Sequence, residues 1–334
     1  MITVIGATNI DIMATALAAM KLEESNRSHI DVGIGGSGKN IAHNLRLLGE
    51  KIQFITLFGN DYFGDLCRQE CQRLGIDTRL SATPKEGKCS MFLCINTPEG
   101  EMKAAASEMS IMEGMTREFL SKRIDAINKS KAVVVESSVP ADSIAYLMDN
   151  CLVPIFAHTT DVQTAPVIYE ALHKALTPHL MGLCINEAAA ANLFSTSEYK
   201  DEKDPDAIAA ILADLGVRST YITRSSEGVY AQSNSLSPKG LTFPSLPVEQ
   251  IVNSNGAGDA FSAGIVYAHL QQVPFPDCVH FGLHAANATL QVGSMVNPNL
   301  AEIFAPLTTH TGTFLTQDNR LVTMQIEGAE PHPF

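Results

Sequence analysis

Tryptophan is absent from this chain, and charged residues fill only 18% of its 334 positions. Any aromatic stacking must therefore come from Phe, Tyr or His. Basic residues are scarce too: 23 Lys and Arg stand against 36 Asp and Glu, a formal net charge of −13. That balance disfavours nonspecific binding to nucleic acid or anionic membranes, which needs basic surface. It does not exclude a phosphate held in one local pocket. No stretch is long and apolar enough to span a bilayer. No basic run precedes the apolar start, so residues 2–6 read as a first β-strand rather than a signal peptide. The seven cysteines are scattered. Cys67 and Cys71 lie close in sequence, as do Cys89 and Cys94, but neither pair is followed by a second with metal-site spacing. Reduced, buried thiols and a cytoplasmic setting are expected. Two nucleotide signatures are also missing. No Lys-Ser or Lys-Thr follows a glycine loop, as a Walker A motif requires, and no GxGxxG fingerprint opens the N-terminal βα unit. The second absence disfavours hydride transfer.

What the chain does have is apolar residues, 45% of the total, enough for a substantial core. Their spacing alternates between strands and helices. Strands are expected at residues 2–6, 52–58, 132–136, 153–157, 180–185, 219–223 and 228–232. Helices are expected between the Gly35-Gly36 pair and Gly49 and at 65–74, 141–150, 166–176 and 206–215, with one or two more within 275–292. Ile41, Leu45 and Leu48 share a helical face that Gly49 terminates. Residues 89–96 and 101–106 flank a Pro98-Glu99-Gly100 turn and read as a hairpin. This breaks the βα rhythm, so the hairpin is assigned to a small accessory sheet. No internal repeat and no dividing linker is visible. The expected architecture is a three-layer α/β/α domain over residues 1–305. A small β-sheet lid would come from about 10–34 and 88–107, and residues 306–334 would form a polar C-terminal extension.

The most informative stretch is Asn253-Ser254-Asn255-Gly256-Ala257-Gly258-Asp259, followed by a small-residue apolar run. Amides of a helix's first turn have no internal partner, and the helix dipole adds partial positive charge, so a glycine-rich helix start can cradle an anion. Asp259 beside it could take a proton from whatever attacks that anion. Together these features suit a phosphoryl-transfer centre; a lone glycine turn with an aspartate cap would look similar. Asn9 and Asp11 lie beyond the first strand, where open α/β sheets bind ligands, although a turn role would also suit them. Gly35-Gly36 opens a helix and lets a ligand approach the backbone.

Gly35-Gly36 with Asn40 and Ala42, followed far along the chain by Gly256-Ala257-Gly258-Asp259, resembles the two signatures of the PfkB (ribokinase-like) family of sugar and nucleoside kinases. Order, separation and strand pattern agree over roughly residues 1–305. Within the family, the chain is most similar to the pseudouridine-kinase branch. Three features carry that likeness: the Gly-Gly-x-Gly-basic-Asn run, Glu108-Met109-Ser110-Ile111 after the hairpin, and the leading Asn253. The resemblance implies an ATP- and Mg2+-dependent transfer to the 5′-hydroxyl of a ribosyl substrate. Asp259 would be the base, and Gly256, Ala257 and Gly258 the anion hole. Asn9, Asp11, Gly35, Gly36 and Asn40 would hold the sugar, with the hairpin closing over it. Asn186, Thr223 and Gly228 would follow the nucleotide phosphates and Mg2+, and Asn287 would border adenine. The exposed edges of such a lid could pair with a second copy of the chain.

Some positions depart from the family pattern. Ala189 stands where an Asn-x-x-Glu motif has its glutamate. Ser225 replaces the first glycine of a Thr-x-Gly-x-x-Gly turn, where any positive φ costs a serine more than a glycine. Ala157-His158-Thr159 replaces an Asp-Pro-Asn-like stretch, and His158 is expected to be a polar loop residue, with a ligand contact as the alternative. Ribokinase-like sugar specificity, or a non-catalytic nucleoside- or nucleotide-binding protein on the same fold, remain as alternatives.

Overall fold

A computed structural model describes residues 1–21, 23–234 and 237–305, together with two short strands at 312–315 and 321–324. Strand β1 (Ile2–Ile5) opens the chain, followed by β2 (Asn9–Ala16), β3 (Ser28–Gly35), α1 (Ser37–Leu47), β4 (Ile52–Ile55) and α2 (Tyr62–Arg73). The hairpin follows as β5 (Ser90–Asn96) and β6 (Met102–Glu108). Two short helices, α3 (Arg117–Ser121) and α4 (Ile124–Ile127), lead into β7 (Val133–Glu136), α5 (Ala141–Asn150), β8 (Ile155–His158), α6 (Ala165–Lys174) and β9 (Gly182–Asn186). The second half contains α7 (Glu187–Ala190), α8 (Pro205–Asp214), β10 (Ser219–Thr223), β11 (Val229–Ser233), β12 (Ser237–Phe243), α9 (Ala257–Leu270), α10 (Phe275–Leu290) and α11 (Leu300–Phe304). The expected extension at 306–334 lies outside the described residues except for one antiparallel pair, β13 (Gly312–Leu315) and β14 (Leu321–Met324).

The central sheet has eight strands in the order β12-β11-β10-β9-β8-β7-β1-β4. All neighbours from β10 to β4 run parallel, while β11 and β12 are antiparallel. Strands β1, β4, β7 and β8 are buried along their whole length. Helices cover both faces of the sheet, so these strands read as continuous apolar runs rather than alternating ones. One apolar cluster joins α5 and α6 to the sheet, and a second joins α1, α9 and α10 to the opposite face. This is the expected three-layer α/β/α arrangement. Helix α9 is buried from Asp259 to Val266, because α1, α10 and the sheet enclose it. A helix covered all round needs small and apolar residues all round.

A second sheet has four strands in the order β3-β2-β5-β6. It carries the predicted hairpin, and β2 runs parallel to β5 at its centre. Its outer strands β3 and β6 are mostly exposed. All seven cysteines are free and buried. Among the described residues no helix is long and apolar enough to cross a membrane.

Candidate active site

Five parallel strands deliver side chains to one edge of the central sheet. Their carboxyl ends carry Gly6 after β1, Glu136 on β7, His158 on β8, Asn186 on β9 and Thr223 on β10. Register places Glu136 opposite His158 and Asn186 opposite Thr223. The start of α9 joins this edge through Asp259, which contacts His158. Gly256 caps the helix at φ 83°, in the left-handed region. A Cβ there would fall 2.1 Å from the carbonyl oxygen of Met295, so only glycine fits. At Gly258 a Cβ would meet nothing nearer than His158 Cε1 at 3.8 Å, which leaves the backbone approachable. Among the described residues nothing accepts from the amides of Gly258 and Asp259. The geometry therefore suits an anion at the helix start.

Asp259 is held on both carboxylate oxygens. Oδ1 lies 3.2 Å from His158 Nε2, and Oδ2 accepts a 2.8 Å hydrogen bond from Asn40 Nδ2. Burial alone would push the carboxyl's pKa up, but the hydrogen bond and electrostatic attraction of His158, with hydrogen bonds from Asn40 and Ser37, outweigh it and hold it below its ordinary value. Asp259 is therefore a buried, ionised carboxylate at neutral pH.

The other predicted site residues gather beside it. Asn9 donates through Nδ2 to Asp11 Oδ1, and both begin β2. A Cβ on Gly35 would lie 2.0 Å from Asp11 Oδ2, so the missing side chain makes room for the carboxylate. Asp11 is only 6% exposed, and burial pushes its pKa up to about 6 against the hydrogen bond from Asn9. Asn40 is oriented from behind: Lys39 Nζ donates to its Oδ1 at 3.0 Å, which turns its Nδ2 toward Asp259. Beyond Asn9 and Gly36 opens a cavity of about 300 Å3. Its far wall includes Met109, Met112, Val139 and Pro140, with Asp161 and Thr164 at its polar side. Glu136 stands at its base. It accepts from the Ala7 amide at 2.6 Å, the Ser138 amide at 2.7 Å and Thr160 Oγ1 at 2.6 Å.

The residues assigned to the nucleotide are more spread out. Asn186 caps α7, accepting from the Ala189 amide at 2.8 Å. Ala189 is fully buried, so the position of the missing glutamate points into the core. Thr223 ends β10, and Gly228 takes φ 89° after a short turn. Within that turn Ser225 is left-handed, with φ 49°. Asn287 Nδ2 donates to the carbonyls of Pro247 and Leu246 at 2.9 and 3.4 Å and so ties down a loop. Among the described residues no group of three or more His, Cys, Asp or Glu side chains is placed to hold a metal ion. Mg2+ would fit here only through nucleotide phosphates, water and isolated protein oxygens, the usual mode for this ion.

His158 corrects an expectation. It is not a polar loop residue but the last residue of β8, because pairing with Glu136 of β7 extends the strand by one position. Its side chain is 8% exposed and contacts Asp259. Glu136 and Lys39 escaped the sequence reading too. The only available signal was a charged residue closing an otherwise apolar strand, and one inside a helix's first turns.

Comparison with known proteins finds sugar and nucleoside kinases. The chain is 26% identical over 302 residues to a pseudouridine kinase of Escherichia coli, covering 90% of this chain and 93% of the relative. It is 23% identical over 294 residues to a ribokinase of Haemophilus influenzae, covering 85% and 90%. Among solved structures, a ribokinase of Thermotoga maritima superposes with a TM-score of 0.76 at 20% identity, covering 91% of this chain and 98% of that one. An Arabidopsis thaliana ribokinase complexed with ribose and ATP gives 0.75 at 18% identity, with the same coverage. A sequence profile of the pfkB family carbohydrate kinases matches residues 1–302, and the chain belongs to that family.

Proposed function

We propose that this kinase transfers the γ-phosphoryl group of ATP to the 5′-hydroxyl of a ribosyl nucleoside, with pseudouridine as the preferred acceptor. The observation that carries the reading is Asp259, an ionised carboxylate at the start of α9 beside the Gly258 amide, which among the described residues has no acceptor. Asp259 takes the proton of the attacking hydroxyl as it forms its bond to phosphorus. A carboxylate is a weak base at neutral pH but need act only as the proton is released. The backbone of Gly256, Ala257 and Gly258 faces the charge on the moving group. Asp11 accepts from two sugar hydroxyls, with Asn9, Gly35, Gly36 and Asn40 shaping the same floor. ATP supplies the phosphoryl group and Mg2+ neutralises its charge, with Asn186, Thr223, Gly228 and Asn287 on the nucleotide side.

The choice of a nucleoside over a free sugar is supported by the cavity of about 300 Å3 adjoining Asn9 and Gly36. It offers an attached base both apolar walls and polar edges, the usual composition of a small-molecule site. The match to a pseudouridine kinase supports the specific base. A second copy of the chain would cover the small sheet, where Ile30 and Val32 on β3 are 60% and 64% exposed.

One other reading has an observation in its favour. Ala189 in place of a glutamate and the left-handed Ser225 would suit a binding protein that no longer turns over. A substrate panel separates the two. Purified protein with ATP and Mg2+ is offered pseudouridine, uridine, ribose and fructose 6-phosphate, and ATP consumption is measured beside calorimetric binding. Fastest consumption with pseudouridine is expected. ATP binding with no consumption on any acceptor would favour the binding protein.

A further inference from the structure

His158 stands where relatives were expected to carry an Asp-Pro-Asn-like stretch, and it is built into the site rather than beside it. Its Nε2 lies 3.2 Å from Asp259 Oδ1, and its Nδ1 lies 2.8 Å from Ser262 Oγ. Ser262 is one helical turn beyond Asp259 on α9 and is itself buried. The ring is thus held at both nitrogens between the end of β8 and one face of α9. In a neutral ring the Ser262 hydroxyl donates to Nδ1, which leaves the proton on Nε2, pointing at the carboxylate.

A carboxylate base has two oxygens and about four acceptor directions. If it turns about its own bond, the lone pair facing the substrate is lost. Asn40 fixes Oδ2, and a second donor on Oδ1 fixes the carboxylate plane. We infer that His158 is a positioning residue for Asp259: its Nε2–H holds Oδ1 while Ser262 sets the tautomer. The inference rests on the kinase reading above for its catalytic consequence, but its geometry does not. The polar groups facing Asp259 are Ser37, Lys39 and Asn40 from α1, Asp11 from β2 and His158 from β8. Of these, His158 and Asn40 contact its oxygens directly at the distances given above.

Two measurements test this. Long-range 15N NMR of histidine-labelled protein, with His158 assigned by its loss in His158→Gln, reads the ring without needing activity. A proton on Nε2, in either charge state of the ring, is expected. An unprotonated Nε2 would overturn the inference, because it would set a lone pair against the carboxylate. The second measurement is the pH dependence of kcat for wild type, His158→Leu, His158→Gln and Ser262→Ala, with folding checked by circular dichroism. His158→Leu should lower kcat at least about tenfold while the nucleoside KM stays within about threefold, the pattern of a transition-state loss. Its acid limb should move to higher pH, since burial is then less opposed. His158→Gln, which keeps a donor at similar reach, should recover most of the rate, and Ser262→Ala should fall between. Should His158→Leu fail to fold, the Gln and Ala variants carry the comparison. Rates and acid limbs equal to wild type in His158→Leu, or in Ser262→Ala and His158→Gln alike should only those fold, would contradict the inference. Inactivity of the wild type on every acceptor would sink the kinase reading, and the NMR result would then decide the geometry alone.

Discussion

Asn40 Nδ2 donates to Asp259 Oδ2 at 2.8 Å across 219 residues of chain. The bond joins the two glycine motifs. The helix opened by Gly35-Gly36 carries the amide, and the helix opened by Gly256 carries the carboxylate. Neither motif would make a site alone. Helix α1 packs directly on α9, so the two helix starts face one pocket.

Asp11 should give substrate capture its own pH dependence. Its pKa is raised to about 6 by burial, whereas Asp259 is held below its ordinary value. As pH falls through about 6, Asp11 gains a proton and loses an acceptor for sugar hydroxyls, while Asp259 stays ionised. The kcat/KM for the nucleoside should therefore fall below about pH 6, and kcat should hold to lower pH. Bound hydroxyls favour the charged form, which weakens the effect in the complex. Asp11→Asn should remove this limb from a pH–rate profile and raise KM at every pH.

Gly35→Ala should act through Asp11 rather than through the backbone. The new Cβ would sit 2.0 Å from Asp11 Oδ2 and push the carboxylate away. Nucleoside affinity should weaken by about tenfold or more, the loss of one charge-assisted hydrogen bond or two. ATP affinity should change little. Calorimetric titration of each ligand checks both.

Much of this is legible in the chain itself, and the rest has physical reasons for being hidden. Asp259, Gly256 and Gly258 announce themselves because an anion cradle needs glycines and a helix start in one short stretch. Asp11 and Gly35 were singled out separately, but that one makes space for the other follows only from the antiparallel register of β2 and β3. His158 was misread because its meaning depends on sheet order. It reaches Asp259 only because β8 lies near the middle of an eight-stranded sheet, under α9. Local sequence does not encode that neighbour. Glu136 looked like the polar end of a strand, yet it organises the turns after β1 and β7.

Ser225 was expected to strain its turn, and it does adopt φ 49°. Ser225→Gly should therefore stabilise the protein by roughly 0.5–1 kcal/mol, the left-handed cost less the extra freedom of glycine in the unfolded chain. Urea unfolding measures it. The same substitution made at an ordinary helical position would destabilise.

The central claim is that Asp259 is the base of a phosphoryl transfer, and its test is the steady-state rate of pseudouridine phosphorylation by Asp259→Asn beside wild type. Asparagine keeps the shape, and its single side-chain oxygen can still accept from Asn40 or from His158, though not from both; the sugar-facing Asp11 is untouched, so substrate binding should survive. The account predicts a fall in kcat of about 10²–10⁴-fold, the usual share of a positioned general base, with KM nearly unchanged. A variant that phosphorylates at the wild-type rate would contradict it.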